Sequence, residues 1–165
     1  MRIVGIDPGY AIVGFGVVEF ANNAFTPLEF GVSLTQAHTD FNERLVSIYD
    51  DISFLLDKYK PDCLAIERLY FNTNQKTAIN VAQARGVLLL AAKQKGVEVF
   101  EYTPLQVKQA VTGHGTAQKH QVMEMTRRLL HLSEVPKPDD AADALAIAIC
   151  HAYNAKRACL GKLRF

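Results

Sequence analysis

The sequence predicts an α/β domain built on one five-stranded mixed sheet flanked by helices. Two changes of pattern lead there. The opening residues are β-branched and apolar runs broken by turn signals, which is an antiparallel start. From Asp40 apolar residues recur at three- and four-residue intervals, and helical stretches then alternate with short, wholly apolar runs of the kind found in parallel strands covered on both faces. A chain of 165 residues, 49% hydrophobic with a mean hydropathy of +0.03, is of the size and composition that close around one core.

Arg2 to Asp7 forms the first strand and closes at Pro8-Gly9; Ile12 to Phe20 returns as its hairpin partner. Phe25 to Leu34 follows the Asn22-Asn23 turn, with Pro27 suited to an edge because proline donates no ladder hydrogen bond. Leu45, Ile48, Ile52, Leu55, Leu56 and Tyr59 mark an amphipathic helix that starts at Asp40 and is stopped by Pro61. Cys63 to Glu67 is a short buried strand, Gln75 to Lys95 a helix capped by Gly96, and Val97 to Tyr102 a fifth strand. Helices are expected from Pro104 to Val111, Gln118 to His131, and Asp139 to about Asn154, with a flexible Thr112 to Thr116 loop and a break at Pro136 and Pro138. Residues 1–155 read as the folded domain. Residues 156–165, with Lys156, Arg157, Lys162 and Arg164 and no acid, read as a short basic tail.

The totals exclude several classes. Eighteen Lys and Arg against 17 Asp and Glu leave +1, so any nucleic-acid contact is local. The longest uncharged apolar runs, Gly86 to Ala92 and Ala144 to Cys150, are far short of the ~20 residues of a membrane span. The N-terminal residues do not resemble a signal peptide. Three cysteines without C-x-x-C spacing suit neither a disulfide framework nor zinc, and a cytoplasmic location is expected.

Carboxylates carry the chemistry. Asp7 ends the first strand and Glu67 the fourth, so if these strands are parallel neighbours both acids leave the same sheet edge, where α/β sheets bind ligands. A turn-forming Asp before Pro-Gly, and a Glu67 paired with Arg68 or with a helix lysine, are the structural alternatives. Asp140 and Asp143 share a helical face, and Asp143 is set among alanines and Leu145 on an otherwise apolar helix. A carboxylate buried there requires a partner, and a cation supplies it. Asp139 reads as the cap of that helix. Oxygen-only ligands suit Mg²⁺ or Mn²⁺, and a pair of ions ~3.5–4 Å apart is the clamp used for in-line displacement at phosphate.

Gly5-Ile6-Asp7-Pro8-Gly9, Ala65-Ile66-Glu67, Gln83-Ala84-Arg85-Gly86-Val87 and Asp140-Ala141-Ala142-Asp143-Ala144-Leu145-Ala146, with Tyr102 and Gln106-Val107-Lys108-Gln109, resemble the RuvC crossover-junction endonucleases over nearly the whole chain. The resemblance implies a ribonuclease H-like fold and a homodimer that binds a four-way DNA junction and places two symmetric nicks during recombination and repair. It implies Asp7, Glu67, Asp140 and Asp143 as metal-binding acids, about two Mg²⁺ ions per subunit with Mn²⁺ as a substitute, and work alongside the RuvA–RuvB branch-migration complex. Asp139 falls outside the matched motif.

Residues 104–132 carry Lys108, Lys119, Arg127 and Arg128 against Glu124 alone, a local +3, whereas residues 36–62 carry −3. In the family, lysines matching Lys108 and Lys119 serve near the scissile backbone. Arg127 and Arg128 read as a solvated helix face, and His114 and His120 receive no role. Tyr70, on the polar loop after Glu67, matches an aromatic that engages bases at the junction, usually Phe. Two alternatives stay open: a ribonuclease H-like nuclease trimming ribosomal RNA precursors, and a catalytically silent junction-binding module.

Overall fold

The structure, a computed structural model, describes residues 1–69 and 75–162. Five strands, β1 (Arg2–Asp7), β2 (Ile12–Ala21), β3 (Ala24–Leu34), β4 (Cys63–Glu67) and β5 (Glu98–Tyr102), form one sheet in the order β3-β2-β1-β4-β5. β2 pairs antiparallel with β1 and β3, while β4 runs parallel to β1 and β5, so the sheet is mixed as expected. β3 is the edge strand, and Pro27 sits at a register irregularity in it.

The helices are α1 (Phe41–Tyr59), α2 (Gln75–Gln94), α3 (Pro104–Thr112), α4 (Lys119–Leu129) and α5 (Asp139–Lys162). Asp40 caps α1 by accepting from the Asn42 amide at 2.8 Å, and Lys60 ends it in the left-handed region at φ 43°. Thr103 and Gln106 form a reciprocal capping box on α3, with Pro104 as its first residue. Two ends differ from the sequence reading. α4 stops at Leu129 because His131 turns left-handed at φ 53°. α5 continues to Lys162, and Asn154 is accommodated inside it by donating its side chain back to the Cys150 carbonyl at 2.8 Å.

Strand alternation splits the core into two layers. Val4, Ile6, Leu64 and Ile66 point to α1 and α2; Ile3, Cys63 and Ala65 point to α3, α4 and α5. The same period of two puts Gly5 and Asp7, Ala65 and Glu67, on the α5 side. There α5 lies unusually close to the sheet. A Cβ on Gly5 would fall 2.0 Å from the Ala144 carbonyl oxygen, and one on Gly14 2.1 Å from that of Asp140, so only glycine admits the helix at this depth. Among the described residues no helix is long and apolar enough to cross a membrane.

Candidate active site

β1 and β4 are parallel neighbours in register from Ile3↔Cys63 to Ile6↔Ile66, and the next residues are Asp7 and Glu67. The condition set by the sequence reading is therefore met: both acids leave one sheet edge toward α5. The first turns of α5 bring Asp143 to the same place. Asp7, Glu67 and Asp143 line a cavity of about 290 Å³ together with Lys108 of α3 and Lys119 of α4, over a floor of Val107, Val122 and Ile147. Asp140 stands beside it and acts on Asp7 by charge. Tyr70 lies outside the described residues.

The electrostatics are those of crowded acids. Burial, followed by the charges of Glu67, Asp143 and Asp140, pushes the Asp7 carboxyl up to about 7. Burial and then Asp143 raise Glu67, against Lys108 and Lys119. Burial raises Asp143 as well, although Lys119 opposes it through a hydrogen bond and its charge. Partial burial works against the Lys119 charge, yet its contacts to Asp143 and Asp139 outweigh this and hold the ammonium above its ordinary range. An added cation would relieve all three acids at once.

The donors are all carboxylate oxygens, a set that fits a hard divalent cation. Among the described residues, no three His, Cys, Asp or Glu side chains are drawn into a closed ligand set. Instead the Lys119 ammonium lies 3.0 Å from Asp143 Oδ2 and 3.2 Å from Asp139 Oδ2. This corrects the reading of Asp139: it is the first helical residue of α5, not the residue before it, and its carboxylate serves Lys119.

Of the structural alternatives for Glu67, the helix lysines Lys108 and Lys119 do act on it by charge. Arg68 pairs with Glu101 at 3.4 Å rather than with Glu67. Arg127 and Arg128 both bind Glu124, drawing its carboxyl down to about 2, and Arg127 also donates to the Leu132 carbonyl at the end of α4. Arg128 lies on the solvated face anticipated from the sequence, whereas Arg127 is partly buried. His114 and His120 line a separate cavity of about 480 Å³ with Arg128.

Three supports went unassigned in the sequence. Arg85 of α2 reaches Glu101 at 2.8 Å and ties α2 to the carboxyl end of β5. Tyr102, in register with Glu67, shares a buried hydrogen bond of 2.8 Å with His151 Nδ1. Gly14, paired with Asp7 across the hairpin, admits Asp140 of α5. The glycines at alternate positions of β2 are the signal that could have revealed the last of these.

A mixed sheet with this strand order, with acids at the ends of two parallel neighbours and on the helix that crosses them, defines a ribonuclease H-like nuclease. The sequence matches the family described as crossover junction endodeoxyribonuclease RuvC over residues 3–151. The chain belongs to that family, whose members are metal-dependent endonucleases. It is 51% identical over 154 residues to the crossover junction endodeoxyribonuclease RuvC of Caldanaerobacter subterraneus subsp. tengcongensis, covering 93% of each chain. It is 56% identical over 152 residues to that of Brevibacillus brevis, covering 92% of each. The Thermus thermophilus RuvC structure in complex with Holliday junction substrate superposes with a TM-score of 0.91 at 38% identity, over 96% of both chains. The yeast mitochondrial Holliday junction resolvase shares the fold, with a TM-score of 0.67 at 18% identity over 94% of this chain and 80% of that one.

Proposed function

We propose that this chain resolves Holliday junctions, with Asp7, Glu67, Asp140 and Asp143 holding the divalent metal and Lys108 and Lys119 meeting the phosphate backbone. The observation that carries this reading is the shared cavity in which three of the acids and both lysines converge from β1, β4, α3, α4 and α5. Bound there, Mg²⁺ or Mn²⁺ in a two-ion arrangement would lower the pKa of an attacking water and stabilise the leaving oxygen. The protein does the rest. Acids on two sheet strands and one helix are held rigidly, and the lysines offset their charge so that a phosphodiester can approach. Buried apolar side chains beneath keep the site's dielectric low.

Two finer parts of the reading concern partners. α2 buries Ala84, Leu88, Ala91 and Ala92 against the sheet yet exposes Ile79 (65%) and Leu90 (52%), apolar surface that a second copy of the chain would cover in a homodimer. Tyr70 would meet unpaired bases at the junction centre, and the protein would work alongside a RuvA–RuvB branch-migration complex, as the family resemblance implies. Residues 1–155 form the nuclease domain and residues 156–165 a basic extension suited to DNA. Cys63 and Cys150 are free and buried, which suits a reducing cytoplasm.

The test is cleavage of a labelled four-way junction beside linear duplex and structured RNA, in Mg²⁺, in Mn²⁺ and with chelator. Paired, metal-dependent nicks confined to the junction are expected. Asp7→Asn should abolish them while junction binding persists, because the basic contacts remain. Cleavage of RNA alone, or junction binding without nicks in either metal, would overturn the reading.

A further inference from the structure

Lys119 opens α4, a position at which a cation is disfavoured by the positive end of the helix dipole, and α4 has no acid in its first turn to offset it. What holds the ammonium is α5. Asp139 and Asp143 are one turn apart on that helix, and one Nζ spans them at 3.2 and 3.0 Å. The two acids have different surroundings. Asp143, with its side chain 32% exposed, faces the cavity with Asp7 and Glu67; Asp139 is 58% exposed and stands at the rim. A divalent cation held by Asp143 competes with Lys119 for the same carboxylate, whereas Asp139 is left free to keep the lysine.

We propose that Asp139 is a positioning residue that tethers the Lys119 ammonium at the cavity rim, so that Lys119 yields Asp143 to a divalent cation and remains beside the site. This rests on the reading of Asp143 as a metal ligand. Without the tether, Lys119 displaced from Asp143 loses the second of the two carboxylates its ammonium contacts, and its four-carbon stem moves into solvent. Asp139 therefore acts through Lys119 and contributes nothing as a ligand itself.

The test follows the Lys119 side-chain ammonium by heteronuclear NMR in the full-length, DNA-free protein as Mg²⁺ is added. In the unmodified protein the Lys119 signal is expected to shift and persist. In Asp139→Asn it is expected to broaden to the mobile, solvent-exposed limit once Mg²⁺ is present, and Asp139→Glu should restore it. Single-turnover junction cleavage supplies the second readout. Asp139→Asn should slow it about three-fold, the scale of a half-exposed ion pair, and should have no further effect in Lys119→Gln. Loss of the Lys119 signal in both proteins, or its persistence in both, overturns the tether. So does an equal slowing by Asp139→Asn with and without Lys119, which would make Asp139 a ligand. If Mg²⁺ leaves the Asp7 and Asp143 carboxyl resonances unmoved, the metal reading has failed instead.

Discussion

Replacing Asp7 by Asn should stabilise the metal-free protein while destroying its activity, with a gain that depends on pH. Asp7 is held at about 7 against an ordinary 3.8, so the folded state binds its proton more tightly than the unfolded chain does. Ionised Asp7 therefore works against folding, beginning as pH rises past 3.8 and reaching its full extent above about 7. At 1.36 kcal/mol per pH unit the ceiling is about 4 kcal/mol. Half of that would raise Tm by about 4–8 °C in a chain of this size. The assay is thermal unfolding followed by circular dichroism in chelator at pH 5 and pH 8. The advantage of Asp7→Asn should be larger at pH 8. Added Mg²⁺ should then reverse the order, because binding to the folded state stabilises the unmodified protein and leaves the variant behind. A variant less stable than its parent at pH 8 in chelator, or a gain independent of pH, would refute the claim that crowding and burial of acids dominate this site.

Other outcomes follow from the supports around the cavity. Gly14→Ala places a Cβ 2.1 Å from the Asp140 carbonyl oxygen, so the first turn of α5 must move; denaturant unfolding should show a loss of at least about 1–3 kcal/mol, and Mn²⁺ binding should weaken with it. Tyr102→Phe leaves His151 Nδ1 without its 2.8 Å partner, which should cost about 1–3 kcal/mol in the same assay with single-turnover cleavage unchanged at a temperature where both proteins are folded. Burial lowers the pKa of His151, so its contribution to stability is present above pH ~6.5 and is lost as pH falls below; a unfolding midpoint that does not decline with acidity in a His151-dependent way would count against this.

Local periodicity carried most of the fold. The change from alternating to three- and four-residue spacing at Asp40 located α1, and wholly apolar Cys63 to Ile66 announced a strand covered on both faces. Parity carried the acids: counting by twos from Ile3 and Cys63 leads through Gly5 and Ala65 to Asp7 and Glu67 on one face. What stayed hidden were contacts between segments distant in sequence. Asp139 looked like a cap because an acid before a helix is read locally, while its partner, Lys119, comes from another helix. Asn154 looked like a stop because its bond back to Cys150 depends on the helix already being formed.

The glycines and the acids are consequences of one geometric choice. A helix can carry a carboxylate to a sheet edge only if its backbone comes close enough for a short Asp side chain to reach. Gly5, Gly14 and Gly16 remove the side chains that would hold α5 away: their Cβ positions lie 2.0 Å from Ala144 O, 2.1 Å from Asp140 O and 2.7 Å from the Leu145 side chain. At ordinary helix-on-sheet separation, Asp143 would stand back from Asp7 and Glu67, and both the burial that chiefly raises those two acids and the Asp143 charge that adds to it would lessen. The close approach that builds the core is thus also what concentrates negative charge at the cavity, and an enlarged side chain at Gly14 should uncouple the two, relieving Asp7 while costing packing.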